Sequence, residues 1–153
     1  MLPLKGHDCF SEHFKAGVRL RKGPLSISYL MMGDNAKRDK NLVKHGNHEG
    51  RSAKIKTSDH VILFGVTASK RNNPKANVRN RIKRLQREAL RAAVEDLRQY
   101  DNYYEALTEI DSLVLFWNKR LEKASLIGLS DILRPTTYIL RNICEKIIYD
   151  KNP

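Results

Sequence analysis

The chain has 153 residues, 41% of them hydrophobic, and its 29 Lys and Arg against 17 Asp and Glu leave a formal net charge of +12. That length suits one domain, read here as spanning 1–153, and is too short for a large multidomain enzyme. Disorder throughout is excluded by enough apolar surface to offset ordering entropy, while the charge points to a polyanionic partner, nucleic acid ahead of an anionic membrane.

Met1 to Phe14 mixes His7, Asp8 and Glu12 instead of forming an apolar signal core, and no run approaches the roughly 18 apolar residues of a membrane span. A cytoplasmic protein is expected, in which Cys9 and Cys144 are two reduced thiols. Asp8 to Lys15 sets Cys9 or Phe10, His13 and Phe14 at one-turn spacing, which predicts a short helix with Gly17 as its C′ residue. Val18 to Pro24 reads as a basic turn. Leu25, Ile27 and Tyr29 then alternate with Ser26 and Ser28, as in a strand with one buried face. From Gly33 to Asp59 cations dominate and apolar side chains are few, so a long, basic, mobile loop is expected at about 33–59, with part of a strand near Ile55.

His60 to Ser69, rich in β-branched and aromatic residues, predicts a strand with little water exposure. Asn73-Pro74 is a helix-start signature, with Asn73 as cap and Pro74 as first helical residue of a helix running into the nineties. Beyond the polar stretch Tyr100 to Tyr104, Leu113 to Trp117 reads as a short buried strand. After Pro135, Ile139, Leu140, Ile143, Cys144, Ile147 and Ile148 recur at three and four residues, marking an amphipathic helix.

The helix after Pro74 carries most of the functional signal. At 100° per residue, Val78, Ile82, Leu85, Ala89, Ala92 and Ala93 fall on an arc of about 100°, which predicts the buried face. Arg79, Asn80, Lys83, Arg84, Arg87, Arg91 and Arg98 occupy an arc of about 140° on the other side. Between Lys70 and Arg91 nine basic residues face Glu88 alone. Like charges at i,i+4 repel, and an ordinary solvated face relieves this by interleaving acids, so a bound anion is the better explanation of the ridge. Arginine's planar fork binds phosphate oxygens bidentately or stacks on an unpaired base. Lys70 and Arg71, just before the helix start, add a second anion-binding feature.

Other chemistry is weakly represented. Gly46-Asn47-His48-Glu49 resembles one block of metallophosphoesterases, but the partner blocks are missing. His7, Cys9 and His13 lack a second ligand pair at zinc spacing, so no metal site is expected in the protein. No Ser-His-Asp order or carboxylate cluster suggests a protein-based nuclease, so no catalytic residue is assigned.

Ser69-Lys70-Arg71, Ala76 and the run Arg79-Asn80-Arg81-Ile82-Lys83-Arg84-Leu85-Gln86-Arg87-Glu88-Ala89-Leu90-Arg91 resemble the signature of the protein subunit of bacterial ribonuclease P. Phe10, Phe14 and Gly17, the segments 24–29 and 64–69, and Leu113 to Trp117 extend the likeness to about two thirds of the chain. Asn77 departs from it, standing where the family usually has an aliphatic residue, as do the long 33–59 loop and the extended stretch from Arg120 to Arg134.

The resemblance implies an α+β sandwich of order α-β-β-β-α-β-α, similar to a ribosomal-protein domain, with a left-handed β-α-β crossover carrying the Arg-Asn-Arg helix. It also implies a subunit of an endoribonuclease whose partner RNA, with its Mg²⁺, cleaves precursor tRNA while the protein stabilises that RNA and binds the 5′ leader. By position, Lys70, Arg71, Arg79, Asn80, Arg81, Lys83, Arg84 and Arg87 would contact RNA, with Arg91 continuing the ridge; Phe10, Phe14 and Tyr29 would line the leader cleft. Phe10 and Phe14, at i,i+4, fit a buried core equally well. A structural ribosomal or RNA-chaperone protein and a duplex-DNA binder are the alternative readings.

Overall fold

The computed structural model describes residues 1–4, 7–33 and 61–151, so most of the predicted 33–59 loop, including the strand near Ile55, lies outside the described residues. In chain order the elements are β1 (Leu2–Pro3), α1 (His7–Lys15), β2 (Val18–Lys22), β3 (Leu25–Met31), β4 (Leu63–Ala68), α2 (Ala76–Leu97), α3 (Asp101–Thr108), β5 (Ile110–Trp117), a 3₁₀ turn (Ala124–Leu126) and α4 (Ser130–Lys151). They form an α+β sandwich on a five-stranded sheet ordered β1-β4-β5-β3-β2. β2, β3 and β5 run antiparallel, whereas β1, β4 and β5 are parallel. Because β4 and β5 are parallel neighbours, the chain must cross over between them, and α2 and α3 make that connection.

Strand alternation divides the sheet into two faces. Leu25, Ile27 and Tyr29 of β3, Phe64 and Ala68 of β4, and Leu113, Leu115 and Trp117 of β5 join the main core with α2 and α4. On the other face Val114 and Phe116 meet Leu4, with Phe10 of α1 packed against them. Position 65 must be small there, since a Cβ at Gly65 would come within 2.8 Å of the Phe10 ring. α1 is also tied down by His13, which is fully buried. Its Nε2 lies 3.1 Å from Ser112 Oγ and its Nδ1 3.4 Å from Ser28 Oγ. Ser28 donates to the His13 carbonyl at 3.0 Å, so its oxygen is the acceptor in the contact with Nδ1.

Several local expectations are corrected. Val18–Lys22 is a strand, not a basic turn: Val18 and Leu20 alternate with Arg19 and Arg21, and the tight turn falls at Gly23, whose φ of 58° suits glycine. Gly17 does not adopt the left-handed conformation of a C′ residue; a Cβ there would meet Ser28 Oγ at 2.1 Å, so close approach explains the glycine. α2 begins at Ala76, with Lys75 at its cap, and Asn73 is buried elsewhere. Ala92 is exposed, whereas Gln86, Leu90, Val94 and Leu97 are buried, because α4 covers a second side of α2. Pro135 lies within α4 rather than before it, and Thr136 Oγ1 donates to the Ile132 carbonyl nearby at 2.7 Å. β1 and α3 have no counterpart in the predicted elements. Among the described residues no helix is long and apolar enough to cross a membrane.

Candidate nucleic-acid interface

The start of α2 is fixed by a net of bonds to the segment leaving β5. Asn73 donates through Nδ2 to the Lys119 carbonyl at 3.1 Å and accepts from the Leu121 N–H at 3.0 Å. Asn72 donates to the Asn118 carbonyl at 3.2 Å, and Lys75 Nζ to the Glu122 carbonyl at 3.3 Å. An Asn side chain carries both donor and acceptor, so one buried amide can close two backbone groups of a distant strap. Its selection at position 73 is therefore explained by this clasp and not by helix capping. Arg79 Nη1 donates to the Asn73 carbonyl at 2.9 Å and also reaches the Pro74 carbonyl. Lys70 and Arg71 are exposed in the turn beside this net.

Beyond the first turn the cations spread along the solvent side. Arg84, Arg87 and Arg91 are exposed and, with Glu88, line a shallow open groove. Their spacing of three and four residues stacks them on one flank. Among the described residues no carboxylate lies within ion-pair distance of these three guanidinium groups, despite Glu88 beside them. Asn80 is exposed, while Arg79, Arg81 and Lys83 are half-buried. Asn77 is exposed in the first turn, and Val78 takes the core position. An array of unpaired arginines lowers its own repulsion when a polyphosphate lies across it.

A second surface lies on the opposite side of the sheet. Phe14 is 62% exposed and meets Phe116 edge-on, with ring centroids 5.0 Å apart at 62°. The Arg19 guanidinium stands 4.7 Å from the Phe116 centroid and 5.4 Å from that of Phe14. Phe10 lies deeper, over Gly65 and against the small cluster of Val114 and Phe116. An exposed ring beside a guanidinium is suited to stack on a nucleobase while the cation faces its phosphate.

Tyr29 does not join this surface. It is buried in the main core beneath the helices, where burial raises its phenol above the ordinary range and the Asp150 carboxylate adds to the rise. Arg19 and Phe116, by contrast, were not marked as site residues by the sequence. Alternation of Val18, Arg19, Leu20 and Arg21 carries the signal for Arg19, whereas Phe116 is hidden within a uniformly apolar strand.

The sequence model of the family described as Ribonuclease P matches residues 2–125 of the chain. A solved structure of the Staphylococcus aureus RNase P protein is similar in fold, with a TM-score of 0.50 at 14% identity, covering 93% of this chain and 94% of that one. No curated protein matches the chain in sequence.

Proposed function

The chain belongs to the Ribonuclease P protein family, and from this premise we propose that its α2 ridge binds the catalytic RNA of that enzyme while the surface between α1 and β5 holds the single-stranded 5′ leader of precursor tRNA. The observation that carries this reading is the exposed line of Arg84, Arg87 and Arg91, none of them ion-paired among the described residues, on a helix whose opposite side is anchored in the core. Lys70, Arg71, Asn80, Arg81 and Lys83 extend the footprint, and Arg79 contributes while fixing the turn that precedes the helix.

The leader is held without demand for sequence, because stacking on Phe14 is open to any base and contributes roughly 1 to 3 kcal/mol. Phe10 supports the cleft from beneath, and Arg19 attracts the backbone. Cleavage belongs to the partner RNA and the Mg²⁺ it binds, in the cytoplasm; the protein contributes affinity for both RNAs and removes phosphate repulsion between them. Adding the full chain to its cognate catalytic RNA at low Mg²⁺ is expected to restore leader removal from precursor tRNA. Unchanged cleavage, with the protein instead co-sedimenting with ribosomal subunits, would sink the proposal.

A further inference from the structure

β2 is an edge strand of the sheet, and its alternation sends side chains to both faces. Arg19 reaches the α1 side, where it stands against Phe116 and Phe14, while Leu20 packs on the main core beneath the helices. Lys22 has the parity of Leu20 and meets α4: its ammonium group lies 4.2 Å from the centre of the Tyr138 ring. Tyr138 keeps 50% of its surface exposed, and Lys22 is exposed with no ion-pair partner among the described residues. Arg134 and Arg141, about one turn to either side of Tyr138, are exposed as well. The acids of this flank, Asp131 and Glu145, lie about two turns from Tyr138. Both already accept hydrogen bonds, from the Gly128 N–H at 2.8 Å and from the Tyr103 hydroxyl at 3.2 Å.

We infer that the 5′ leader, after crossing the aromatic cleft, turns over the β2 edge and stacks a further base on Tyr138, with Lys22 and Arg134 facing its phosphates. The inference rests on the reading of the surface between α1 and β5 as the leader site and extends that track to a second aromatic contact. Arg19 and Lys22 are three residues apart, about 10 Å along the strand, so one short cationic edge joins the cleft to Tyr138. A half-exposed ring among cations accepts any base, as a leader of unspecified sequence requires. A peptide strand fits the edge poorly, because β2 is only five residues long and carries three cations, features that discourage strand pairing. The leader is favoured over the catalytic RNA because α4 packs against both α2 and β2 and so stands between the arginine ridge and this edge. Since α4 begins at Ser130, beyond the residues 2–125 that the family model matches, the contact is an addition of this chain.

The test uses the complex of the full chain with its cognate catalytic RNA, with Ca²⁺ in place of Mg²⁺ so that binding is read before cleavage. Precursor tRNAs whose leaders lengthen one nucleotide at a time are titrated, with mature tRNA as the leaderless reference. Wild-type affinity is expected to rise with leader length in two stages, the first lost in Phe14→Ala and the second in Lys22→Ala/Tyr138→Ala. The double variant should bind the longest leaders about 5- to 20-fold more weakly than wild type and the shortest equally well. Tyr138→Phe, which keeps the ring, should retain the second stage, and Lys22→Glu should remove it by charge alone; circular dichroism checks the fold of each. Length curves of the double variant and wild type that coincide would overturn the inference. A loss equally large for mature tRNA, or one that appears as weaker binding of the catalytic RNA, would place the contact on another RNA and overturn the leader assignment. Mature tRNA bound by the wild-type complex as tightly as every precursor would instead sink the reading of the cleft on which the inference rests.

Discussion

The arginines of α2 separate into two physical classes, and a matched pair of variants tests the separation. Arg84, Arg87 and Arg91 project into solvent without a carboxylate partner among the described residues, whereas the Arg79 guanidinium already bonds the carbonyls of Asn73 and Pro74. If each of the three exposed side chains neutralises one phosphate, Arg84→Ala/Arg87→Ala/Arg91→Ala should lower the log–log salt slope of RNA binding by about 2 to 3 units, from 0.7 to 0.9 per contact. The affinity advantage of the wild-type chain should then shrink roughly 20- to 40-fold between 50 and 200 mM salt. Folding should not suffer, because alanine is the better helix former and removal of the 87/91 pair relieves a few tenths of a kcal/mol of repulsion. Arg79→Ala, by contrast, strips the turn of two charge-assisted bonds at a partly exposed site and should cost about 1 kcal/mol, or about 2 to 4 °C in melting temperature. Fluorescence anisotropy at several salt concentrations and thermal melts of both variants make the test. An unchanged slope in the triple variant, or a triple variant that melts as low as Arg79→Ala, would refute the reasoning.

Gln86 is fully buried with neither its amide oxygen nor its nitrogen partnered, so Gln86→Leu should raise stability by roughly 1 to 3 kcal/mol in urea unfolding; destabilisation would reveal a partner for the amide. Burial, with the Glu145 carboxylate adding, pushes the Cys144 thiol up to about 12. The unfolded thiol titrates near about 8.5, so its stabilising contribution is complete below that pH and lost as the pH rises towards 12, at up to about 1.4 kcal/mol per unit. Urea midpoints measured from pH 8 to 10.5 should fall, with a shallower fall in Cys144→Ala; equal slopes in both would remove Cys144 as the cause. Phe14→Ala should weaken binding of a single-stranded leader by about 5- to 150-fold, the equivalent of 1 to 3 kcal/mol of stacking, with catalytic-RNA affinity unchanged. A leader affinity insensitive to this change would assign Phe14 to another role.

Elements whose logic is local are legible in the amino-acid sequence. The 3.6-residue rhythm of α2 separated Val78, Ile82, Leu85 and Ala89 from Arg84, Arg87 and Arg91, and both groups lie as expected. That rhythm assumed a single partner surface, however, and α4 provides another, so Leu90, Val94 and Leu97 are buried and the apolar arc is wider than one sheet would require. Asn73 misleads for a related reason: next to Pro74 its side chain has an obvious local use, yet its partners are Lys119 and Leu121, 46 and 48 residues away. Tyr29 is different, since its parity with Leu25 and Ile27 already placed it on the core face, away from Phe10 and Phe14.

The same parity explains how a small domain can address two RNA surfaces. In β5, Leu113, Leu115 and Trp117 face the helical layer that carries the arginine ridge, while Val114 and Phe116 face α1. One strand therefore supports both the ridge's anchorage and the aromatic cleft, without either surface needing an insertion of its own. The consequence is mechanical separation: a truncation at Phe14 acts on the cleft alone, and one at Arg87 acts on the ridge alone, because neither side chain is part of the main core. Phe116 is not separable in this way. At 7% exposure it packs with Leu4 and Val114 and also meets Phe14 and Arg19, so changing it would couple loss of the cleft to loss of the layer beneath. Phe14→Ala/Arg87→Ala should accordingly lose leader affinity to the extent that Phe14→Ala does and catalytic-RNA affinity to the extent that Arg87→Ala does, with no coupling between the two, as expected for distant sites without shared partners.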